Sequence, residues 1–213
     1  MDIYSELLAP SEHASRIYGI VIGVVTNNKD PDGLGRVKVK FPWLSDTDES
    51  NWARIVTPMA GKDRGFYFLP EVDDEVLVAF EHGIVEMPYV LGALWNGKDK
   101  PPEKNDDGKN NLRTIKSRSG HIIRFNDNKG EEKIEIIDMT AKNKITISAK
   151  DNTISIEADA DITIKSSKGK LVLQGQGGVE IKSQAAVKIE ATGNMDLKSN
   201  AQMNIKGTMV NIN

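Results

Sequence analysis

The sequence predicts an all-β chain in two parts, a small barrel of short strands followed by a narrow stacked β-structure. Three observations predict it. Short β-branched runs separated by turn clusters fill the first half, an eight-residue apolar repeat fills the second, and the composition changes abruptly between them. All eight prolines lie between Pro10 and Pro102, and residues 126–213 contain no proline, phenylalanine, tyrosine or tryptophan. A core of that length ordinarily uses bulky aromatics, so their absence predicts an interior too narrow to hold them.

The barrel is read from five runs. Residues 18–26 (YGIVIGVVT) are β-branched, and 27–35 form a turn cluster rich in Asn, Asp, Pro and Gly. Residues 36–41 (RVKVKF) alternate basic and apolar side chains, which is the pattern of a half-buried strand. Residues 52–57, 75–80 and 88–94 supply further strands, and so many short strands in about eighty residues suggest a small barrel. Residues 96–111 (NGKDKPPEKNDDGKNN) have turn chemistry and no apolar periodicity, which marks a linker.

The repeat occupies the second half. Apolar pairs separated by one residue fall at Ile154 and Ile156, Ile162 and Ile164, Leu171 and Leu173, Val179 and Ile181, Val187 and Ile189, Met195 and Leu197, and Met203 and Ile205. Their starts are spaced by eight, nine, eight, eight, eight and eight residues. A small or hydroxylated residue follows each pair, at Ala158, Ser166, Gly175, Ser183, Ala191, Ser199 and Gly207. Ile145 and Ile147 resemble an earlier turn of the pattern, and Val210 and Ile212 close it. Each octad reads as a short strand with two residues facing inward, then a tight corner. Two inward residues per octad make no core alone, so octads must stack. One chain can coil as a solenoid, or three chains can interwind with one face each. No capping element for a solenoid is present, and interwinding removes lateral strand edges. The paired residues are the candidate core in either case.

Composition excludes several chemistries. The formal net charge is -3 and there is no cysteine, so neither a general basic field nor a disulfide or thiolate site is expected. Residues 1–15 lack a basic start with an apolar run, and no eighteen-residue apolar stretch occurs, so a soluble cytoplasmic product without a signal peptide or membrane helix is expected, exported only by a carrying machine. Gly92 to Lys98 comes close to a phosphate-binding loop, but Asp99 stands where Ser or Thr is required, and Pro101 and Pro102 block the following helix. Asp30-Pro31-Asp32-Gly33 hints at a calcium loop, but Phe41 occupies the position of the closing Glu. A hairpin turn is the expected role. His13, His82 and His121 lack metal-ligand spacing and read as structural. Glu131-Glu132 and Asp73-Asp74-Glu75 read as solvated turn charges rather than a glycosidase pair. Arg36, Lys38 and Lys40 form a basic strand face with no evident interleaved aromatic, so nucleic-acid binding is not expected. No catalytic residue, metal or cofactor is expected.

Four stretches carry a family resemblance: DPDGLGRVKVKFPW (30–43), NWARIVTPMAG (51–61), GFYFLPEVDDEVLVAFEHG (65–83) and PYVLGALWNG (88–97). They resemble the oligonucleotide/oligosaccharide-binding (OB) fold domain of phage baseplate assembly protein V and of the VgrG spike, and IKSRSGHIIRFND (115–127) resembles the entry to the family's β-prism. The resemblance implies an N-terminal arm at 1–16, an OB-fold domain at 17–95, a linker at 96–118 and an intertwined trimeric triangular β-helix at 119–213. It implies a homotrimeric structural spike, not an enzyme, in the baseplate of a contractile injection system of the phage-tail, tailocin, extracellular or type VI-like kind. It further implies a separate hub protein at the base, because only a short segment precedes the barrel, and transient contact with a target membrane. The last histidine is His121, so no terminal histidine-ligated iron is implied. A separate PAAR-type tip protein would instead dock on Val210, Asn211, Ile212 and Asn213. The alternative functions are a carbohydrate-active β-helix enzyme and a single-strand nucleic-acid-binding OB module.

Overall fold

The computed structural model describes residues 16–45 and 47–212. Nearly all of the expected N-terminal arm, together with Asn213, lies outside the described residues. The chain divides into two units, Met1–Asp159 and Ala160–Asn213.

The first unit opens with seven short strands: β1 (Val21–Asn27), β2 (Lys38–Lys40), β3 (Arg54–Ile55), β4 (Ala60–Gly61), β5 (Arg64–Gly65), β6 (Glu75–Phe80) and β7 (Pro88–Ala93). Five of them form one sheet in the order β2-β1-β6-β7-β3, and β4 and β5 form a separate hairpin. Every pairing in the larger sheet is antiparallel except β3 with β7, which is parallel. The outer edges meet beside β2 and β3. Val37 N–H donates to the Ala53 carbonyl at 3.1 Å, and Ala53 N–H donates back to Val37 at 2.8 Å. This exchange closes the sheet on itself, so the edge strands gain partners instead of standing open.

Alternation in the sequence produces the interior. β6 runs half-buried, buried in strict alternation, and Val25, Val37, Val39, Val76, Val78 and Val90 are fully buried. Compact β-branched side chains fill a barrel of this small radius. Phe41 and Phe80 seal one end, edge to face, with ring centroids 5.5 Å apart. Gly23 marks the tightest crossing, since a Cβ there would lie 2.3 Å from Val39 Cγ1. His82 sits in a single 3-10 turn (Glu81–Gly83) with φ of 51°, which agrees with its reading as a turn residue.

The remainder of the first unit is a five-stranded antiparallel meander: β8 (Leu112–Lys116), β9 (Ile122–Asn126), β10 (Lys133–Ile137), β11 (Lys144–Ser148) and β12 (Thr153–Glu157). Two expectations are corrected here. The linker placed at 96–118 contains β8, because Ser117 and Gly120 make a tight hairpin that folds 112–116 back onto β9; Gly120 N–H donates to Ser117 O, and Gly120 has φ of 102°. The first pair of the repeat, Ile154 and Ile156, lies on β12 of the meander. The turn at 149–152, with Asn152 at φ of 52°, reverses the chain, and β12 pairs antiparallel with β11 instead of turning a prism corner.

In the second unit none of the described residues lies in a strand ladder, and all are exposed. A single-chain solenoid would stack its octads and bury their apolar pairs, and the described residues show no such stacking. The expected corners do turn tightly. Gly178 N–H donates to Gly175 O at 3.2 Å, and a Cβ on Gly175 would meet Gly178 O at 2.3 Å.

Gly23→Val should destabilise the OB-fold barrel by about 1–3 kcal/mol through overpacking against Val39. A lowered urea midpoint with an unchanged m-value is the expected readout.

Candidate assembly surface

The β8–β12 sheet has two unlike faces. Its register aligns Ile115, Ile123, Ile136, Ile145 and Ile156 in one row across the five strands. The neighbouring row on the same face is Arg113, Phe125, Ile134, Ile147 and Ile154. Nine of these ten positions are therefore isoleucine or phenylalanine, and the nine are between 38% and 71% exposed. The opposite face carries Thr114, Arg124, Glu135, Thr146 and Ser155 in its central row.

Coverage is the reverse of what burial normally requires. The polar face is the better sheltered one, and Glu135 is its most buried member at 9% exposure, bridged to Lys133 at 2.9 Å. Glu103 lies over this face, accepting from the Thr114 hydroxyl at 2.8 Å and from the Arg124 guanidinium at 2.5 Å. Burial pushes the Glu103 carboxyl up, but those two donors outweigh it and hold it below the ordinary carboxylate range. Lys144 and Glu157 add a cross-strand pair at 3.2 Å. The isoleucine face has no such cover, and each half-exposed isoleucine forfeits about 1 kcal/mol of burial. A contiguous apolar patch of this extent marks an interaction surface.

The repeat residues present the same deficit. Ile154 and Ile156 lie on β12, on the apolar face and at the open edge of the meander, 71% and 58% exposed. Ile162, Ile164, Leu171, Leu173, Val179, Ile181, Val187, Ile189, Met195, Leu197, Met203 and Ile205 lie in the second unit, 46% to 71% exposed. Val210 and Ile212 are 48% and 87% exposed, and Asn211 is exposed as well. The sequence reading missed Ile115, Ile123, Phe125, Ile134 and Ile136. Their apolar pairs recur every eleven residues in 123–136, which an eight-residue search passes over, although the strict alternation was there to be found.

The barrel's basic strand face is already occupied by its own chain. The expectation that no aromatic interleaves with it is corrected. Trp52 lies beneath Arg36 and Lys38, with the cations 5.9 and 5.6 Å from its ring centroid. The Val37–Ala53 pairing brings it there from the next strand, a long-range contact invisible to local pattern. Arg36 is bonded to Asp30 at 2.7 Å and to Asp32 at 2.5 Å, and Lys38 to Glu49 at 3.3 Å. Asp30 is the hub of its loop. Its carboxylate is 3% exposed and also accepts backbone N–H bonds from Asp32 and Leu34. The Arg36 guanidinium, opposed by burial and helped by those amides, holds the Asp30 carboxyl well below the usual range.

Residues 21–95 match the family of the type VI secretion system/phage-baseplate injector OB domain. The closed β2-β1-β6-β7-β3 sheet thus resembles an injector OB domain, and the likeness extends to longer stretches of the chain. The chain is similar to type VI secretion system spike proteins: it is 32% identical over 139 residues to VgrG5 of Pseudomonas aeruginosa, covering 59% of this chain and 18% of that protein. It is 33% identical over 111 residues to VgrG2a of the same organism, covering 50% and 13%. It is 31% identical over 111 residues to VgrG3 of Vibrio cholerae, covering 48% and 11%. The chain therefore spans less than a fifth of the length of each of these relatives. Among the described residues no helix is long and apolar enough to cross a membrane.

The Asp30–Arg36 geometry predicts an acid dependence. A carboxylate held low in the folded state stabilises above its unfolded pKa of about 4, and that stability fades as pH falls through the folded value. Asp30→Asn should lower the denaturant midpoint at neutral pH and flatten its decline below about pH 4.

Proposed function

We propose that this chain is the homotrimeric spike of a contractile injection system, with the octad pairs as its axial core. One observation carries the reading. An apolar sheet face and a run of apolar octads stand uncovered in the single chain, while the same sheet's polar face is ordered and ion-paired. The likeness of the OB domain to the phage-baseplate injector domain, and of the longer segment to VgrG spikes, supplies the kind of assembly. Octads that cross one face and then turn a tight small-residue corner suit three interwound chains, each contributing one side of a triangular core. Such a core admits Ile, Val, Leu and Met, and each chain's strands would gain ladder partners from its neighbours.

In this reading the OB domains form the base and dock on a hub protein. The octad region is a rigid point driven through a target envelope, in transient contact with its membrane, and a PAAR-type tip protein sits on Val210 to Asn213. The role is mechanical rather than enzymatic. Rigidity would come from continuous interchain ladders and a dry axial core.

The solution mass tests the assembly directly. Light scattering on the full chain should give three times the 23.5 kDa protomer, and a monomer would sink the reading. Val187→Asp or Ile189→Asp should abolish the trimer, because three unpaired carboxylates would converge on the axis at several kcal/mol each. Retention of the trimer in both variants would show that these residues do not form the core.

A further inference from the structure

One octad departs from its neighbours in two ways at once. Between Ile162 and Leu171 the repeat takes nine residues instead of eight, and the extra residue falls in the corner 166–170 (SSKGK). The later corners, 175–178 (GQGG), 183–186 (SQAA), 191–194 (ATGN), 199–202 (SNAQ) and 207–209 (GTM), carry no charge, whereas the preceding corner, 158–161 (ADAD), carries Asp159 and Asp161. This corner carries Lys168 and Lys170, and Lys165 stands immediately before it. No carboxylate occurs from Ile162 to Val179.

From Val179 onward, charges sit on the strand and mostly balance within their own octad. Lys182 pairs with Glu180 and Lys188 with Glu190, both at 2.6 Å. Asp196 and Lys198 have the same two-residue spacing. Among the described residues, Lys165, Lys168 and Lys170 stand in no such pair and all three are exposed. The corner itself is bent by a hydrogen bond from Gly169 N–H to Ser166 Oγ at 3.2 Å. Corners are the outermost parts of a stacked β-structure, so the extra residue lifts Lys168 out where strand positions do not reach.

We propose that Lys165, Lys168 and Lys170 form a phosphate-binding collar that engages the anionic headgroups of a membrane surface. The collar rests on the trimer reading for its closure, since three copies would ring the shaft at one level. Lysines suit this ligand. They are flexible point charges that accept the irregular spacing of lipid phosphates. Each lysine close to an anionic bilayer strengthens binding by about fivefold, and salt weakens the attraction. The inserted corner therefore gives the shaft one basic level, preceded in the sequence by the acidic corner at 158–161.

The test is co-sedimentation of the full chain with phosphatidylcholine vesicles, with and without phosphatidylglycerol, at low and high salt. The expected result is binding to the anionic vesicles alone, weakened by salt. K165Q/K168Q/K170Q should lose on the order of 100-fold in affinity, and Lys168→Gln alone, an exposed corner change, about fivefold. K182Q/K188Q/K198Q removes the same charge from balanced octads and should lose at least tenfold less than the collar variant. Equal losses in the two triple variants, or no preference for anionic vesicles, overturn the collar. Displacement from vesicles by dilute glycerol phosphate would assign the lysines to a soluble phosphate ligand and overturn the membrane assignment. A trimer that ignores anionic vesicles fails the collar alone. A monomer fails the assembly reading, and the vesicle assay still reads the lysines in it, so the two readings fail separately.

Discussion

Nine isoleucine and phenylalanine side chains lie on one face of the β8–β12 meander, each 38% to 71% exposed, and the proposed assembly depends on that half-covered apolar surface. Apolar area left in water forfeits stabilisation in proportion to its extent. Here part of it lies together on one sheet face, in addition to the exposed octad pairs and apolar side chains of the barrel surface. The opposite face uses Glu103, Arg124 and Thr114 to tie the residues after the barrel across the strands. That polar lock holds the sheet in register while its apolar side stays open. Register matters because a one-residue slip of any strand would move its isoleucines to the wrong face.

The OB domain is self-sufficient by comparison. Its valine interior is closed by the Val37–Ala53 exchange, and its conspicuous basic strand is neutralised internally by Asp30, Asp32 and Glu49. Trp52 under Arg36 and Lys38 would by itself suggest a nucleic-acid platform of the kind OB folds often provide. The ion pairs argue otherwise, because those cations already have carboxylate partners and their fields are largely cancelled before reaching a phosphate. The same residues that look like a binding face therefore brace the loop between β1 and β2. The OB domain serves the proposed spike as a stable base, consistent with its likeness to the injector domain.

The octad region shows how a repeat conveys information by its exceptions. The octads from Val179 onward mostly balance their strand charges and keep their corners small and neutral. The corner at 166–170 breaks both habits in one place. A structural insertion alone needs no cluster of cations, and a charge cluster alone needs no extra residue. Their coincidence is what singles out that corner of the repeat.

Much of this was legible in the sequence. Alternation in 36–41 and 75–80 announced barrel strands. The octad spacing located twelve apolar residues of the second unit together with the corners beside them. These are local features, set by side-chain periodicity and backbone sterics, and local features can be read along a chain. Three things were decided only in three dimensions. Closure of the barrel depends on Val37 meeting Ala53, and with it Trp52 meeting Arg36. The strand at 112–116 depends on pairing with β9, since five residues of mixed polarity carry no distinct signal alone. The isoleucine wall depends on antiparallel register across five strands, which aligns pairs whose separations along the chain are unequal. Distant residues meet through hydrogen-bonded register, and no window of the sequence contains that information.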